Sequence, residues 1–372
     1  MRLHWERRPD TPWWLAVVVT LTSIAGALAV GALFLELTGL PSGTVYSKMF
    51  ESAFGSSDAI TDTLATGAPL ILTGLAAAFA MRMGLYNIGG EGQLYAGAIA
   101  SSGAALAWCD GAPRGVAVTI VFVAGAAGGM AWILVPALAR AFAGTSEIVT
   151  TLMMVFVADL LLDYLITGSH SYWRDPLTIG FPQGKQIPDA ARFTRWFDNS
   201  RITVALVVAA AMIVVLWFVW ARTSFGFGMK VIGDSPDAAR YSGIPARRTI
   251  LIALLVSGAL AGMAGATEIG ARAYRLDPAG LRLSLGYTGI VIAALARRNP
   301  FAVGLVAVLI GALQNAGQAV QTIAGVHVPR SVALMLQGAI LLFVLGGEVY
   351  RTHQIRIVRH HDVVEAPAAV PS

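Results

Sequence analysis

Ten apolar stretches, most of them close to 20 residues long, limit what this chain can fold into. A hydrocarbon core about 30 Å thick needs roughly 20 apolar residues for one helical crossing, and only helices and closed barrels satisfy their backbone groups there. Charged residues make up 13% of the chain, about half the usual share in a soluble domain. The sequence therefore predicts an all-α, polytopic bundle of transmembrane helices.

The apolar stretches divide the chain into a short N-terminal segment at 1–12, a transmembrane region at 13–348 and a tail at 349–372. The first stretch is longer than the roughly 7–15 apolar residues of a signal peptide, so we expect it to remain as a span. The eighth is too short to cross alone and is predicted to be a broken or half-depth helix, surrounded by protein or water. The predicted spans are 13–37, 60–81, 88–108, 115–138, 148–167, 201–221, 249–270, 286–296, 301–320 and 331–347.

The distribution of basic residues predicts the orientation of these spans. Fifteen of the 26 Lys and Arg residues fall on segments that share a side with the N-terminus. Because cytoplasmic loops carry an excess of Lys and Arg, both termini are predicted to be cytoplasmic. The loop at 168–200 is then external and the loop at 222–248 internal. The chain is expected to be a multi-pass protein of the cell membrane, the inner or plasma membrane.

The internal loop contains "SPDAARYSGIP", residues 235–245, which has the signals of a short helix. Ser235 suits the N-cap, Pro236 the first helical position and Asp237 the positive end of the helix. Gly243 then ends it in the left-handed conformation that glycine adopts easily. Such a helix either only joins two spans or docks a cytoplasmic partner, and its small alanines, Ala238 and Ala239, suit a docking surface.

A second stretch, "GLYNIGGEGQLYAGA" at 84–98, places polar groups and glycines inside apolar surroundings. An ionisable group at membrane depth, such as Glu91, needs water or a partner, and clustered glycines favour a break in the helix. Asn87 and Gln93 offer donors and acceptors for the hydroxyls or base edges of a neutral solute. The stretch is predicted to line a solute pathway, and the alternative is close packing of helices through the glycines.

Two further polar patches fall within predicted spans, and both support the same pair of interpretations: pathway lining or contacts between helices. Residues three or four apart share a helix face. The patches consist of Glu147, Thr150 and Thr151 in one span and Gln314, Asn315 and Gln318 in another. A run of small residues, Ser257, Ala261 and Gly265, predicts only a packing seam.

Motifs for chemistry are absent from the sequence. There is no GxxxxGK[ST] phosphate loop and no HExxH or GxSxG signature, so the chain is expected to be neither an ATPase nor another enzyme. Cys109 is the single cysteine, and no metal site or nucleic-acid partner is expected. If ATP drives this protein, another chain must bind the ATP and Mg²⁺.

Five segments resemble, in order, those of the branched-chain permease superfamily of ABC transporters, most closely its nucleoside and simple-sugar branch. They are "GLYNIGGEGQ", "TSEIVTTLMMVFVADLLL", "SGALAGMAGATEI", "GYTGIVIAALARRNP" and "PRSVALMLQGAILLFVLGGE", at 84–93, 145–162, 257–269, 286–300 and 329–348. Ser146 and Val155 stand where these relatives commonly have Asn. The internal Asp-Ala-Ala and the later Gly243 resemble the ATPase-docking loop of ABC importers, with Asp237 in place of Glu.

The resemblance implies a permease subunit of an ATP-driven importer for nucleosides or a related small polar solute. Its implied partners are an ATPase subunit, a second homologous or identical permease and an extracytoplasmic substrate-binding lipoprotein. Four residues would couple to the ATPase: Asp237, Ala238, Ala239 and Gly243. The pathway candidates are Asn87, Glu91, Gln93, Ser146, Glu147, Thr150, Thr151, Gln314 and Asn315.

Two other functions remain open at this stage. Within the superfamily, the alternative is a simple-sugar permease. From a different class, an ion-coupled secondary transporter would use carboxylates deep in the spans. The candidates for such ion sites are Glu91, Glu147, Asp159, Asp163 and Glu268.

Overall fold

The structure is a computed structural model of the full chain. It describes residues 2–7, 13–168, 170–178, 180, 182–196, 200–319 and 353–358, and within 335–347 the positions 335–336, 338–340, 342–343 and 346–347. The chain divides into two compact units, one of residues 48–319 and one of residues 1–47 with 320–372.

The larger unit is helical. Its helices are α3 (Ser57–Met81), α4 (Gly90–Trp108), α5 (Arg114–Leu138), α6 (Glu147–Asp163), α7 (Val204–Arg222), α8 (Ser224–Asp234), α9 (Pro236–Tyr241), α10 (Ala246–Glu268), α11 (Pro278–Leu281), α12 (Leu285–Leu295) and α13 (Pro300–Ala319). Helix α2 (Ser42–Phe54) crosses the division between the units. The helices α5, α6 and α10 each continue into a single π-helical turn, at Ala139–Ala143, Tyr164–Gly168 and Ile269–Ala273.

Two helices, α3 and α4, lie at the centre of the larger unit. Helix α3 is buried without interruption from Thr66 to Met81 and packs against α7, α10, α12 and α13. Helix α4 is less apolar than α5, α6 and α12, yet it is buried over most of its length against these three helices and α10. The polar residues of α4 therefore face other helices rather than lipid.

Glycines allow α4, α5 and α10 to pack with their backbones in contact. A methyl group at Gly97 or at Gly129 would overlap the backbone of Gly262 on α10, and one at Gly262 would overlap the backbone of Gly125. Gly265 lies in the same way against the carbonyl of Leu94. The predicted packing role of the small residues in α10 is thereby confirmed at Gly265, because only small residues allow such approach.

The predicted short span is confirmed as a broken helix. Helix α12 has 11 residues, which gives it a length of about 16 Å, half the thickness of a hydrocarbon core. Helix α11 precedes it, and Ser284 between them has a left-handed backbone with φ 57°. The other predicted spans from the first to the ninth also coincide with helices within a few residues. The tenth, at 331–347, lies partly outside the described residues, and its described positions between 335 and 347 are helical.

Seven helical segments in the described part of the chain are long and apolar enough to cross a membrane: Ser57–Met81, Arg114–Ala143, Glu147–Gly168, Val204–Arg222, Ala246–Ala273, Pro278–Leu295 and Pro300–Ala319. The chain is thus a multi-pass helical membrane protein. The total of ten spans and the cytoplasmic position of both termini stay predictions.

The loop at 168–200 is folded rather than extended. The backbone N–H of Phe193 donates to the carbonyl of Gly270 at 2.8 Å, and the ring of Phe193 stacks on that of Phe122 on α5. Trp173 donates its indole N–H to the carbonyl of Ile99 on α4 at 3.1 Å. The loop is therefore anchored to the helix ends beside it.

The smaller unit contains α1 (Trp13–Leu37) and a two-stranded antiparallel ribbon of β1 (Arg2–Arg7) and β2 (His353–Val358). The described positions between 335 and 347 are helical. Tyr46 donates its hydroxyl to the carbonyl of Leu28 at 2.7 Å. The sequence predicted an all-α fold and did not predict this ribbon. The ribbon is β-structure formed by segments from the two ends of the sequence.

Candidate functional site

The glycine-rich stretch turns the chain from α3 back into α4, as its glycines predicted. Helix α3 ends at Met81, and Gly84 takes a left-handed φ of 71°. Helix α4 begins at Gly90, so residues 82–89 form a non-helical connection. We call this segment the 82–89 loop. Leu85 and Asn87 in it are buried, so the break in the helix lies inside the protein.

Asn87 and Gln93 form a closed pair of amide hydrogen bonds. Asn87 Nδ2 donates to Gln93 Oε1 at 2.8 Å, and Gln93 Nε2 donates back to Asn87 Oδ1 at 2.9 Å. Asn87 Nδ2 also donates to Ser257 Oγ on α10 at 2.8 Å, and Ser257 Oγ donates to the carbonyl of Ala76 on α3 at 2.7 Å. All three side chains are buried. The network joins α3, the 82–89 loop, α4 and α10, and it satisfies the donors of Asn87.

Glu91 caps a helix that is distant in sequence. Its Oε2 accepts from the backbone N–H of Gly286 at 2.6 Å, and its Oε1 accepts from the hydroxyl of Tyr95 at 2.9 Å. Gly286 is the second residue of α12. A carboxylate is stabilised where the free N–H groups of a helix start point. Glu91, which is only 2% exposed, thereby fixes the start of the broken helix against α4.

The predicted face of α6 is split between buried and exposed positions. Glu147 is buried, pairs with Arg140 at 3.2 Å and accepts from the backbone N–H of Tyr86 at 3.2 Å. Thr151, also buried, donates to the carbonyl of Glu147 at 2.6 Å. Thr150 bonds back to its own helix and is partly exposed, and Ser146 is exposed. The buried pair holds α6 to the 82–89 loop, while Ser146 and Thr150 remain accessible.

The amides of α13 lie apart from this network. Asn315 Oδ1 accepts from the hydroxyl of Thr66 on α3 at 2.8 Å, while its buried Nδ2 has no hydrogen bond within the described residues. Gln314 is partly exposed. Gln314 and Asn315 are therefore not close to Asn87 and Glu91 in the structure. Asn315 instead joins α13 to α3.

The predicted helix of the internal loop is confirmed as α9. Ser235 Oγ accepts from the N–H of Ala238 at 3.3 Å, and Pro236 occupies the first position. Gly243 has φ 69°, and the N–H of Ile244 donates to the carbonyl of Ala239 at 3.0 Å, which closes the C-terminus. This pattern of a left-handed glycine and a six-residue hydrogen bond satisfies the last carbonyls of the helix.

The two alanines of α9 differ in exposure, which the sequence did not indicate. Ala239 is fully buried, so it packs the helix onto the protein and does not face a partner. Asp237 and Ala238 are exposed, and Tyr241 is 93% exposed. The outer surface of α9 thus consists of a carboxylate, a methyl group and an unpartnered aromatic ring.

A contact connects this internal region to the 82–89 loop. Gly233 on α8 lies against the backbone of Arg82 and Met83, where a methyl group would overlap the carbonyl of Arg82. The guanidinium of Arg82 lies 5.1 Å from the ring centre of Trp220 on α7. Burial is the main cause that lowers the pKa of Arg82, with a smaller effect from Arg298. Helices α7 and α8 therefore enclose the start of the loop.

Sequence reasoning missed the partners that complete these contacts. Ser257 was interpreted only as a small packing residue, and Tyr95 and Gly286 were not considered as partners of Glu91. Arg282, which bridges Asp159 and Asp163, was also missed. Spacing along the chain gives no signal for such pairs, because their members are separated by more than 100 residues in all cases except Tyr95.

The sequence matches known permeases over most of its length. It is 32% identical to the nucleoside ABC transporter permease protein NupB of Lactococcus lactis, over 88% of this chain and 90% of that protein. It is 31% identical to the guanosine ABC transporter permease protein NupP of Bacillus subtilis, over 90% and 94%. It is 30% identical to the glucose ABC transporter permease protein TsgB13 of Haloferax volcanii, over 99% and 97%.

The family match covers the same region. Residues 59–345 match the permease component of the branched-chain amino acid transport system, a range that includes the 82–89 loop, the internal helices and the broken span. The resemblance noted in the sequence is confirmed, and the chain belongs to this family of transport permeases.

Proposed function

We propose that this chain is the membrane-spanning permease subunit of an ATP-driven importer of nucleosides or a related small polar solute. The observation that carries the proposal is the similarity to two nucleoside permeases across about nine-tenths of both chains. The buried amide network and the broken helix are consistent with a transport pathway, since non-helical backbone at membrane depth in transporters lies beside the substrate route. Membership of an ABC permease family implies an ATPase partner.

The exposed surface of α9 is the proposed contact for that ATPase. It presents Asp237, Ala238 and Tyr241 to solvent and is closed at both ends by its caps. An exposed aromatic ring of this kind is a common anchor in protein interfaces. Buried Ala239 and left-handed Gly243 would act by shaping the helix rather than by touching the ATPase. The ATP and Mg²⁺ would be bound by that separate chain.

The contacts inside the protein offer a route for the movement of α9. Helix α8, which adjoins α9, packs on the 82–89 loop through Gly233. From the loop, Asn87 reaches α10 through Ser257, and Glu91 on α4 reaches α12 through Gly286. Rigid-body motion of α8 and α9 would therefore be transmitted to the start of the broken helix. As α12 shifts, the solute passage would open alternately to the outer and the inner side of the membrane.

The remaining partners are part of the same proposal. A second permease, homologous or identical, would complete the passage, and an extracytoplasmic lipoprotein would deliver the solute. The complex would reside in the inner or plasma membrane, with both termini in the cytoplasm. Pairing of β1 with β2 supports the placement of both termini on the same side of the membrane, because strands in one ribbon lie on one side.

Ion-coupled transport by this chain alone is less well supported. Such a mechanism needs carboxylates free to bind and release an ion or proton. Each of the five candidate carboxylates has a partner instead: Glu91 with Tyr95 and Gly286, Glu147 with Arg140, Asp159 and Asp163 with Arg282, and Glu268 with Arg272 at 3.5 Å.

Transport by the purified complex tests the proposal. The chain would be reconstituted in liposomes with its ATPase, second permease and binding protein, and uptake of radiolabelled guanosine and glucose would be compared with and without ATP. We expect ATP-dependent guanosine uptake that is abolished when the phosphate-loop lysine of the ATPase is replaced. Uptake of glucose alone would favour the simple-sugar alternative suggested by TsgB13. Uptake by this chain alone on an ion gradient would refute the proposal.

A further inference from the structure

Two carboxylates and one guanidinium share a surface where α6 meets the segment between α11 and α12. Arg282 Nε donates to Asp159 Oδ1 at 2.8 Å, and Arg282 Nη2 donates to Asp163 Oδ2 at 2.6 Å. The side chains of Asp159, Asp163 and Arg282 remain 36%, 40% and 39% exposed. Two negative groups and one positive group leave this trio with one excess negative charge.

Asp159 lies inside a predicted membrane crossing, and Asp163 lies near the outer end of the same segment. Asp159 is twelve residues beyond Glu147 in the helical segment Glu147–Gly168, which places it about 18 Å along the helix axis and roughly 13 Å before its end. Charges that face hydrocarbon at such a depth cost at least a few kcal/mol each. The charged side chain of Asp159, which is more than one-third exposed on this chain, must therefore face water or another protein in the membrane.

Other outward faces of the larger unit have a different character. Val214 at the middle of α7 and Leu309 at the middle of α13 are about half exposed. Helix α13 contains no charged residue, and α7 has only Arg222 at its end. These faces suit lipid. On α6 the exposed apolar side chains Phe156 and Leu160 lie next to the carboxylates, so only the narrow strip that holds Asp159 and Asp163 differs from the surfaces expected to contact acyl chains.

The start of α12, which lies beside Arg282, gives an anion no compensating attraction. A helix N-terminus usually attracts anions through its free N–H groups and its dipole. In this chain Glu91 already accepts from the N–H of Gly286. The N–H of Gly286 at the start of the broken helix is thus already occupied by a resident carboxyl group and is not offered to an incoming anion.

We propose that Asp159, Asp163 and Arg282 line a water-filled outer mouth of the solute passage, facing a second permease subunit, and that their excess negative charge disfavours anionic solutes. This inference rests on the proposed function and deepens it. Neutral nucleosides would enter, whereas solutes carrying phosphate groups would be repelled.

Thiol labelling tests the mouth without relying on transport. In the assembled transporter in right-side-out vesicles, Ser284→Cys would be treated with two membrane-impermeant methanethiosulfonates, a trimethylammonium cation and a sulfonate anion. Ser284 is exposed, and cysteine preserves its size. Wild-type protein gives the baseline because Cys109 is fully buried. Matched controls are Val214→Cys and Leu309→Cys, which should not react because their thiols lie in lipid.

We expect Ser284→Cys to react, and to react about fivefold or more faster with the cation than with the anion after normalisation to free cysteine. Adding Asp163→Asn removes the excess charge and keeps the Arg282–Asp159 pair, so the ratio should fall towards one. An unreactive Ser284→Cys in protein that labels after denaturation would overturn the aqueous mouth. A ratio that Asp163→Asn leaves unchanged would overturn its role in charge selection.

Wild-type uptake separates this inference from the function on which it rests. ATP-driven guanosine uptake together with an unreactive Ser284→Cys refutes the mouth and leaves the importer intact. A reactive, cation-preferring Ser284→Cys in a complex that moves no solute refutes the importer and leaves a water-filled mouth.

Discussion

Glu91 replaces a cap that α12 lacks within its own sequence. Ser284 precedes α12 with a left-handed backbone, and its side chain makes no capping hydrogen bond to the residues that the structure describes. The carboxylate of Glu91 reaches across from α4 and accepts from Gly286 instead. A charge-assisted hydrogen bond of this kind is stronger than a neutral one, so the broken span depends on a residue nearly 200 positions away.

Replacing Glu91 with glutamine should therefore destabilise the protein. Glu91→Gln keeps the size of the side chain and removes its charge, and we expect a loss of about 1–3 kcal/mol. The midpoint of thermal unfolding in detergent would measure it. Glu51→Gln, at an exposed glutamate, is the control and should leave the midpoint unchanged. An unchanged midpoint for Glu91→Gln together with altered uptake would favour the pathway interpretation.

Asn87 and Gln93 should behave as one energetic unit. Because each satisfies the other, the loss caused by Asn87→Ala and Gln93→Ala together should be smaller than the sum of the two single losses. We expect a coupling of about 1 kcal/mol or more, measured as shifts in stability in a double-mutant cycle. Asn87→Ala combined with Gln314→Ala, which lies outside the network, should be additive. Additive losses in the first cycle would contradict the paired geometry.

At this scale the sequence indicated which residues matter but not what they contact. The cost of burying Asn87, Glu91 and Gln93 identified them as polar groups in need of partners. Whether those partners are solute, water or protein depends on the fold, and Ser257 and Gly286 lie on helices far along the chain. The structure supplies protein partners for all three side chains, and the predicted role in the pathway stays a prediction.

Helix α9 is the element whose local signals were easiest to interpret. Its caps depend on neighbours within eight residues, from Ser235 to Gly243, so they are legible in sequence. The sequence does not show which residues of α9 are buried, since a helix of six residues has too little periodicity to separate an inner from an outer face. Ala239 was for this reason grouped with Ala238.

The two alanines provide a contrast for the docking proposal. Ala238→Arg, on the exposed side, should leave folding unchanged and reduce uptake at least about tenfold, because a bulky cation would block an interface anchor. Uptake and ATP hydrolysis would be measured on the reconstituted complex. Ala239→Arg places a charge in a fully buried site and should lower the yield of folded protein. Normal, ATP-coupled uptake by Ala238→Arg would contradict docking at α9.

The short span shows what length alone can establish. Eleven apolar residues cannot cross the hydrocarbon core, so a break at 286–296 followed from arithmetic. Helix α11 was missed although Asp277 and Pro278 in "DPAGLRLS" carry the same N-cap and first-position signals as Ser235 and Pro236. The left-handed Ser284 has no comparable signal in the sequence. Helices α2 and α8 were missed for a related reason: each is short and only partly apolar, so a search for spans passes over them.

At the scale of the whole molecule, the N-terminal and C-terminal segments of the chain are paired through β1 and β2. Their register places Glu6 opposite Gln354 and Arg2 opposite Val358, with paired Cα atoms roughly 4.5–5.5 Å apart. Glu6→Cys with Gln354→Cys should therefore form a disulfide under mild oxidation, visible as a mobility shift on non-reducing gels. Arg2→Cys with Gln354→Cys, which are out of register, is the control. Equal cross-linking of the two pairs would contradict the ribbon.

At the scale of the chain, the class of fold followed from composition and from the spacing of apolar runs. Physics restricts a chain of this kind to helices, and the nine described runs are helices. The terminal ribbon escaped prediction because strand pairing between residues more than 340 positions apart leaves no periodic trace. The division into two units was likewise not visible, since both contain apolar helices of similar length.

The seam of Gly97, Gly125, Gly129 and Gly262 has a consequence for how such a protein could change shape. Three helices whose main chains touch have no flexible side chains between them to absorb sliding. Conformational change must then occur at boundaries lined by larger groups, and α4, α5 and α10 would travel as a single block. A distance measured spectroscopically between a label on α5 and a label on α10 should therefore stay the same at every stage of a transport cycle.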